Sequence, residues 1–259
     1  MLTFAHINGI AIHYRHRPVA GRPTIVFVNA LGADFRIWEP VAARLGDAFG
    51  YVLFDKRGHG LSELGAAPPT IETFAGDLAA LLDHVGMKRA VICGLSIGGP
   101  IALCLYETRP DLIDGLIFCD TASKIGTREM WNSRISATLG PGITSFADGV
   151  MEKWFTRRFH RDRAVELAGY KTMLSRQSPD GYAAGCKAIR DADFSATAGT
   201  INVPAMVVVG DQDGSTPPDI VESLARSIPA ARFEIIADAA HIPCVEQPVA
   251  FSDLIRAFM

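Results

Sequence analysis

The sequence predicts an α/β fold: a mostly parallel, eight-stranded sheet with helices on both faces and an inserted helical cap. Short apolar, β-branched runs alternate with segments of helical apolar spacing in two parts of the chain, a pattern typical of parallel sheets. Residues 122–190, between these parts, contain helical stretches but no strand-like run. We therefore expect residues 1–121 and 191–259 to form the core domain and residues 122–190 to form the cap.

The first half of the chain begins with a predicted hairpin, because the turn signal Asn8-Gly9 separates two short strand-like runs. Runs that are apolar throughout follow, as expected for strands buried on both faces. The predicted elements, in order, are strands at 2–5, 11–15 and 24–28, a helix at 38–49, a strand at 51–54, a helix at 70–85, a strand at 90–93, a helix at 100–109 and a strand at 115–120.

The predicted cap is the basic part of the chain. It holds 12 Lys and Arg against 6 Asp and Glu, a net charge of +6, which leaves −9 for the rest. Most of these charges are expected on solvated helix faces, but a basic cap also favours an anionic substrate. Cap helices are expected at 131–139, 143–155, 161–175 and 179–190, followed by a strand at 205–210, a helix at 218–227, a strand at 232–236 and a helix at 248–258.

Composition excludes several functions. With a net charge of −3 and no basic tract, nucleic acid is not an expected partner. No apolar run reaches the length of a membrane span and no signal-peptide pattern follows the first residue, so a cytoplasmic protein is expected. The five cysteines are scattered and the seven histidines do not cluster, which predicts reduced thiols and neither metal nor cofactor. A monomer or small homo-oligomer is expected.

Ser96 is the predicted nucleophile. It lies between Gly94 and Gly98, where a predicted strand turns into a predicted helix, and such a turn lifts the hydroxyl clear of the sheet. A serine hydroxyl needs a base, and His241 follows the last predicted strand. The imidazole needs a carboxylate, for which Asp213 is preferred and Asp211, directly at a strand end, is the alternative. The order Ser, Asp, His is that of α/β hydrolases.

An oxyanion hole completes this prediction. The backbone N–H of Ile97 is one donor, and the N–H of Leu31, on the loop after another central strand, is the second. The charged loop at residues 55–62 lies near the site, but we expect Asp55 and Arg57 to pair and to hold a turn rather than to act in catalysis.

The whole chain resembles the 3-oxoadipate enol-lactonases, α/β hydrolases of the β-ketoadipate branch of aromatic degradation. The superfamily is indicated by residues 94–99, 55–60 and 241–248, and the lactonases by Asn29 and by the cap segments 154–156 and 181–193. Departures are Ile97, where family members often have Met, and the less apolar pair Gly214-Ser215. The resemblance implies a small anionic lactone as substrate. Its carboxylate needs a partner, and the basic cap offers Arg134 and Arg190, with Trp131 and Trp154 as apolar walls.

Two alternatives stay open. The first is a general carboxylesterase or cofactor-free perhydrolase that uses the same triad. The second is a small-molecule-binding protein that keeps the fold without depending on catalysis.

Overall fold

The computed structural model describes residues 2–259, which fold around one eight-stranded sheet with strand order β1-β2-β4-β3-β5-β6-β7-β8. β1 and β2 form an antiparallel hairpin, β2 also pairs antiparallel with β4, and all further neighbours are parallel. The predicted α/β-hydrolase fold is thereby confirmed. The strands are β1 Thr3–Ile7, β2 Ile10–Arg17, β3 Thr24–Val28, β4 Gly50–Phe54, β5 Ala90–Leu95, β6 Ile113–Cys119, β7 Ala205–Gly210 and β8 Arg232–Ile236.

Helices cover the sheet. The strands β5 and β7, each flanked by a strand on both sides, are buried along their whole length, which explains their unbroken apolar sequences. The helices are α1 Glu39–Leu45, α2 Ile71–His84, α3 Gly98–Thr108, α4 Arg128–Leu139, α5 Ala147–Trp154, α6 Arg157–Asp162, α7 Ala164–Ser175, α8 Pro179–Asp191, α9 Ser195–Ala198, α10 Pro218–Ser227, α11 Pro243–Glu246 and α12 Pro248–Phe258. Within residues 2–259, no helix combines the length and apolar character that a bilayer crossing requires.

The chain between β6 and β7 is helical. α4 packs on α8 and α5 packs on α7. The helix predicted at 161–175 is wrong in its start, because the Thr156 side chain accepts a hydrogen bond from the Phe159 N–H at 3.1 Å and begins α6 earlier. Arg163, with φ −127°, then separates α6 from α7. The domain boundaries at 122 and 190 stay a prediction.

Candidate active site

Ser96 lies on a sharp turn between β5 and α3. Its φ is +56°, a conformation that costs energy for a residue with a side chain. A Cβ at Gly94 would collide with the Gly98 carbonyl oxygen, and a Cβ at Gly98 would lie 2.6 Å from the Val28 carbonyl oxygen. Only glycines fit at these two positions. The Ser96 N–H donates to the Cys119 carbonyl at 3.0 Å, which fixes the turn to β6.

His241 and Asp213 form a buried pair at the same end of the sheet. His241 Nδ1 lies 2.8 Å from Asp213 Oδ2, and the two side chains are 4% and 0% exposed. Asp213 follows β7, and His241 follows β8. A carboxylate in this contact orients the imidazole and leaves its Nε2 free to handle a proton.

Hydrogen bonds hold the Asp213 carboxylate. Its Oδ1 accepts the N–H groups of Ser215 and Thr216 at 2.7 and 3.1 Å, and its Oδ2 accepts the Thr216 hydroxyl at 2.7 Å. Burial acts to raise the pKa of Asp213, but His241 and these donors outweigh it, so the pKa lies below its usual value. Asp211, the alternative carboxylate, is exposed and accepts the Ala239 N–H instead, so the geometry favours Asp213.

Ser96 and His241 border one cavity of about 100 Å³. Among residues 2–259 their side chains share no hydrogen bond in this structure, although the cavity brings hydroxyl and imidazole to the same space. Contacts between nucleophile and base are often long in the free enzyme and shorten with substrate. The cavity is lined by Leu31, Ser96, Ile125, Met130, Trp131, Arg134, Val150, Lys153, Trp154, Tyr182, Ser215, Thr216 and His241.

The two predicted oxyanion donors are available. Neither the Leu31 N–H nor the Ile97 N–H donates to any group of the described chain. The Leu31 loop is braced from below, since Asn29 Nδ2 donates to the Ala33 carbonyl at 2.5 Å and Lys56 Nζ to the Ala30 carbonyl at 2.6 Å. Such bracing holds backbone donors in place before substrate arrives.

Lys56 is a residue that the sequence did not single out. Its side chain is fully buried, and burial lowers the pKa of its ammonium to about 7, against the opposing pull of Asp55 and Asp34. Because only its place in a charged loop is visible in the sequence, its contact with the Ala30 carbonyl could not be foreseen.

The expected pairing of Asp55 with Arg57 is wrong. Asp55 Oδ2 instead lies 2.8 Å from His13 Nδ1, and Arg57 pairs with the buried Asp77 through contacts of 2.7 and 2.8 Å. The carboxylate of Asp55 also accepts the N–H of Phe35 at 2.9 Å. Both residues thus hold the loop to neighbouring elements, which is a structural role achieved with other partners.

Three of the four cap residues predicted to contact substrate line the cavity: Trp131, Arg134 and Trp154. The Arg134 guanidinium lies 4.5 Å from the centre of the Phe146 ring and donates to the Tyr182 hydroxyl at 3.2 Å. In residues 2–259 Arg134 has no acidic partner, and no Asp or Glu borders the cavity. Its charge is therefore available to an anionic ligand.

Arg190 does not border this cavity, contrary to expectation. Its guanidinium contacts the Asp191 carboxylate at 2.7 Å and Asn132 Oδ1 at 2.8 Å, so its charge is already paired away from this cavity. Lys153, which sequence reasoning did not select, does border the cavity and has no acidic partner in the described chain. Basic composition was the signal for both residues and could not separate them.

Glu246 joins the cap to the His241 loop. Its Oε1 accepts the Thr156 N–H and hydroxyl at 3.0 and 2.7 Å, and its Oε2 accepts the Ala240 N–H at 2.6 Å. Burial raises the pKa of this carboxyl. A further bond of 3.2 Å runs from the Ile242 N–H to the Trp154 carbonyl. The position of His241 is thus tied to the cap.

A larger cavity, of about 780 Å³, lies between the β1–β2 hairpin and α7. It contains neither Ser96 nor His241, and two of its three arginines, Arg15 and Arg36, pair with Glu39 and Asp34. The smaller cavity is therefore the candidate active site.

Comparison with known proteins gives consistent results. Residues 23–248 match the family model described as the alpha/beta hydrolase fold. The chain is 32% identical over 250 residues to 3-oxoadipate enol-lactonase 2 of Acinetobacter baylyi, covering 96% of this chain and 93% of that protein. It is 30% identical to 3-oxoadipate enol-lactonase 1 of the same organism, with 92% and 88% covered. The crystal structure of the enol-lactonase from Burkholderia xenovorans LB400 superimposes with a TM-score of 0.95 at 36% identity, over 99% of both chains.

Proposed function

The chain belongs to the α/β-hydrolase family, and on that premise we propose that it hydrolyses 3-oxoadipate enol-lactone to 3-oxoadipate in aromatic degradation. One observation carries the proposal beyond hydrolysis in general. Ser96 and the Asp213-backed His241 share a cavity with Arg134, a cation that lacks an acidic partner in the described chain. The enol-lactonase relatives supply the substrate, an ester ring that carries one carboxylate.

The first half of the reaction opens the ring. Ser96 Oγ attacks the lactone carbonyl while His241 Nε2 takes the hydroxyl proton, and Asp213 stabilises the imidazolium that forms. The N–H groups of Leu31 and Ile97 face the developing oxyanion, each worth about 3 kcal/mol of the barrier. The bond between the acyl carbon and the ring oxygen breaks, and the imidazolium returns its proton to the departing enol.

The second half frees the acid. An enol is a better leaving group than a simple alcohol, and its conversion to the ketone disfavours closure of the ring. Water, deprotonated by His241, adds to the acyl carbon, and Ser96 Oγ leaves with the proton. The product therefore carries two carboxylates where the substrate carried one.

Recognition of the substrate carboxylate falls to the cap. An anion beside Arg134 meets a guanidinium that no Asp or Glu of the cavity lining neutralises. Trp131 is held in the cavity wall by a bond of 2.6 Å from its indole N–H to the Ile125 carbonyl, so it presents an ordered apolar surface to the ring.

The test is the loss of enol-lactone ultraviolet absorbance on addition of purified protein. We expect the natural chain to turn over the lactone at about 1 s⁻¹ or faster, and Ser96→Ala to abolish turnover with an unchanged melting temperature. Activity of Ser96→Ala within about tenfold of the natural chain would reject Ser96 as the nucleophile.

Two further outcomes separate the alternatives. A kcat/KM for the neutral ester p-nitrophenyl acetate that equals or exceeds the value for the lactone would favour a general carboxylesterase. Failure of a fluorophosphonate to label Ser96, with no turnover of either substrate, would favour a binding protein.

A further inference from the structure

Asp120 is a second buried carboxyl group beside the predicted triad. It follows β6 directly and is fully buried. One oxygen of Asp120, one oxygen of Asp213 and one ring nitrogen of His241 all lie within 4.8 Å of one another. This carboxyl group takes no part in the proposed mechanism. Placing it beside the buried Asp213 carboxylate is unfavourable if both groups are charged, so it needs a structural explanation.

The backbone at Asp120 adopts a conformation that side chains disfavour. Its φ is +46°, in the left-handed region, although the residue is not glycine. Its N–H donates to the Val208 carbonyl at 2.9 Å, and its Oδ1 accepts the Gly210 N–H at 2.9 Å. These contacts attach the end of β6 to the last residues of β7, after which the loop that carries Asp213 begins.

The hydrogen bond from the Gly210 N–H to Asp120 is made at a point where two segments of the chain pass close together. A Cβ on Gly210 would collide with the carbonyl oxygens of Ala239 and Ala240, next to His241. The segments that carry Asp213 and His241 therefore pass each other closely at Gly210, and Asp120 holds that point from a third strand. Apart from His241, the groups that donate hydrogen bonds to Asp213 all belong to its own loop.

The groups that face Asp120 leave it neutral. Burial, followed by the neighbouring Asp213 carboxylate, raises the pKa of Asp120 well above its usual value. The titratable groups around it are Asp213, His241 and the thiols of Cys119 and Cys244, and burial raises the pKa of both thiols. Cys119 Sγ lies 2.9 Å from Asp120 Oδ2. Two adjacent buried carboxyl groups do not both ionise, so Asp120 retains the proton and Asp213 the charge.

We propose that Asp120 is a positioning residue for the proposed lactone hydrolysis by Ser96. Its protonated carboxyl group hydrogen-bonds the Asp213 carboxylate and holds Gly210 where the Asp213 and His241 segments cross. It acts through Asp213 and touches no substrate. This inference rests on the proposed function only in requiring that Ser96, His241 and Asp213 work together.

The test compares Asp120→Asn with Asp120→Ala by the rate at which a fluorophosphonate inactivates the enzyme as a function of pH. This probe reacts with an activated serine and needs no lactone. Asparagine keeps a neutral acceptor for Gly210 and a donor for Asp213, so we expect the plateau rate within about threefold of the natural chain and an acid limb at the same pH. Alanine removes both bonds, and we expect a loss of about 10²-fold, the effect of a misplaced catalytic group.

Asp114→Asn is the matched control, because Asp114 lies on the same strand but pairs with Arg89 at the surface. It should leave the rate and its pH dependence unchanged. If Asp120→Ala kept the rate within about threefold, the positioning role would be rejected. If Asp120→Asn moved the acid limb by more than about 0.5 pH unit, Asp120 would be charged in the natural enzyme and the protonated form would be rejected.

The test still decides the question if Asp120→Ala does not fold or if the natural chain does not hydrolyse the enol lactone. Should Asp120→Ala fail to fold, judged by its melting curve, Asp120→Asn and its pH profile still decide the question. A natural chain that reacts quickly with the probe but leaves the enol lactone intact would overturn the proposed substrate and leave this inference standing, whereas no labelling at all would overturn both.

Discussion

The rim of the sheet and the cap contribute to the same cavity in different ways. At the rim, Ser96, Asp213 and His241 are buried, and Asp213 and His241 are hydrogen-bonded to each other. In the cap, Arg134 is half-buried and Lys153 is exposed, and within residues 2–259 neither has an acidic partner. The side chains of Asp213 and His241 are thus already bonded to each other, while the cap cations remain free to bind a ligand. Under the proposed function, this difference places the chemical step at the rim and the choice of substrate in the cap.

The two regions meet at the His241 loop. Glu246 accepts hydrogen bonds from Thr156 of the cap and from Ala240 beside His241. A change in the cap can therefore reach the rim by this route. Variants that separate the two contributions must leave Glu246 and its partners in place.

The largest effect is expected at the rim, from Asp213→Asn. The amide has nearly the same shape, but it does not stabilise the imidazolium and its NH₂ group opposes the His241 Nδ1–H. We expect kcat to fall by about 10⁴-fold for the lactone and for a neutral ester alike. Kinetics on both substrates measure this.

Asp211→Asn is the control for that variant, because Asp211 precedes the same loop but is exposed and bonds Ala239. It should retain full activity. A loss confined to the anionic substrate in Asp213→Asn, or one below about tenfold, would contradict the assignment of chemistry to the rim.

The second effect concerns the cap and is expected from Arg134→Met. Methionine keeps an apolar stem against Phe146 but removes the charge. Loss of one charged contact to a carboxylate corresponds to about 30-fold, so we expect KM for the enol lactone to rise by that factor with kcat nearly unchanged. KM for p-nitrophenyl acetate should stay the same.

Arg190→Met is the matched control, since Arg190 is a cap arginine whose charge is already paired with Asp191. It should leave both substrates unaffected. Equal rises in KM for the charged and neutral substrates in Arg134→Met would show that the residue shapes the cavity rather than binding the carboxylate.

Part of this site could be predicted from local patterns in the sequence. The strand, Ser96 and the flanking Gly94 and Gly98 were predictable, because a local pattern of apolar residues and glycines determines that turn. The order of Asp213 and His241 after successive parallel strands fixed the end of the sheet on which both lie. Such inferences depend on short segments and on rules of sheet topology.

Contacts between distant segments could not be predicted in the same way. His13 and Asp55 lie 42 positions apart, and nothing local distinguishes His13 from Arg57 as the partner of Asp55. Arg190 was misplaced because each residue turns a helix by about 100°, so a basic composition does not say which side chain faces the cavity. Asp120 reads only as the end of a strand until the neighbouring carboxyl is seen.

The smallest effect is expected from Lys153→Met. Its dependence on salt concentration distinguishes a long-range electrostatic attraction from a direct bond between Lys153 and the substrate carboxylate. Lys153 is exposed, so water and ions screen its charge and we expect KM for the enol lactone to rise only about threefold at low salt. Near 1 M salt, where the screening length is about 3 Å, the difference from the natural chain should vanish. Lys171→Met provides the control, because that cap lysine pairs with Asp148 at 2.6 Å and does not line the cavity. A rise in KM that persists in high salt would mean that Lys153 bonds the carboxylate directly, and the cap would then hold the substrate through two cations rather than through Arg134 alone.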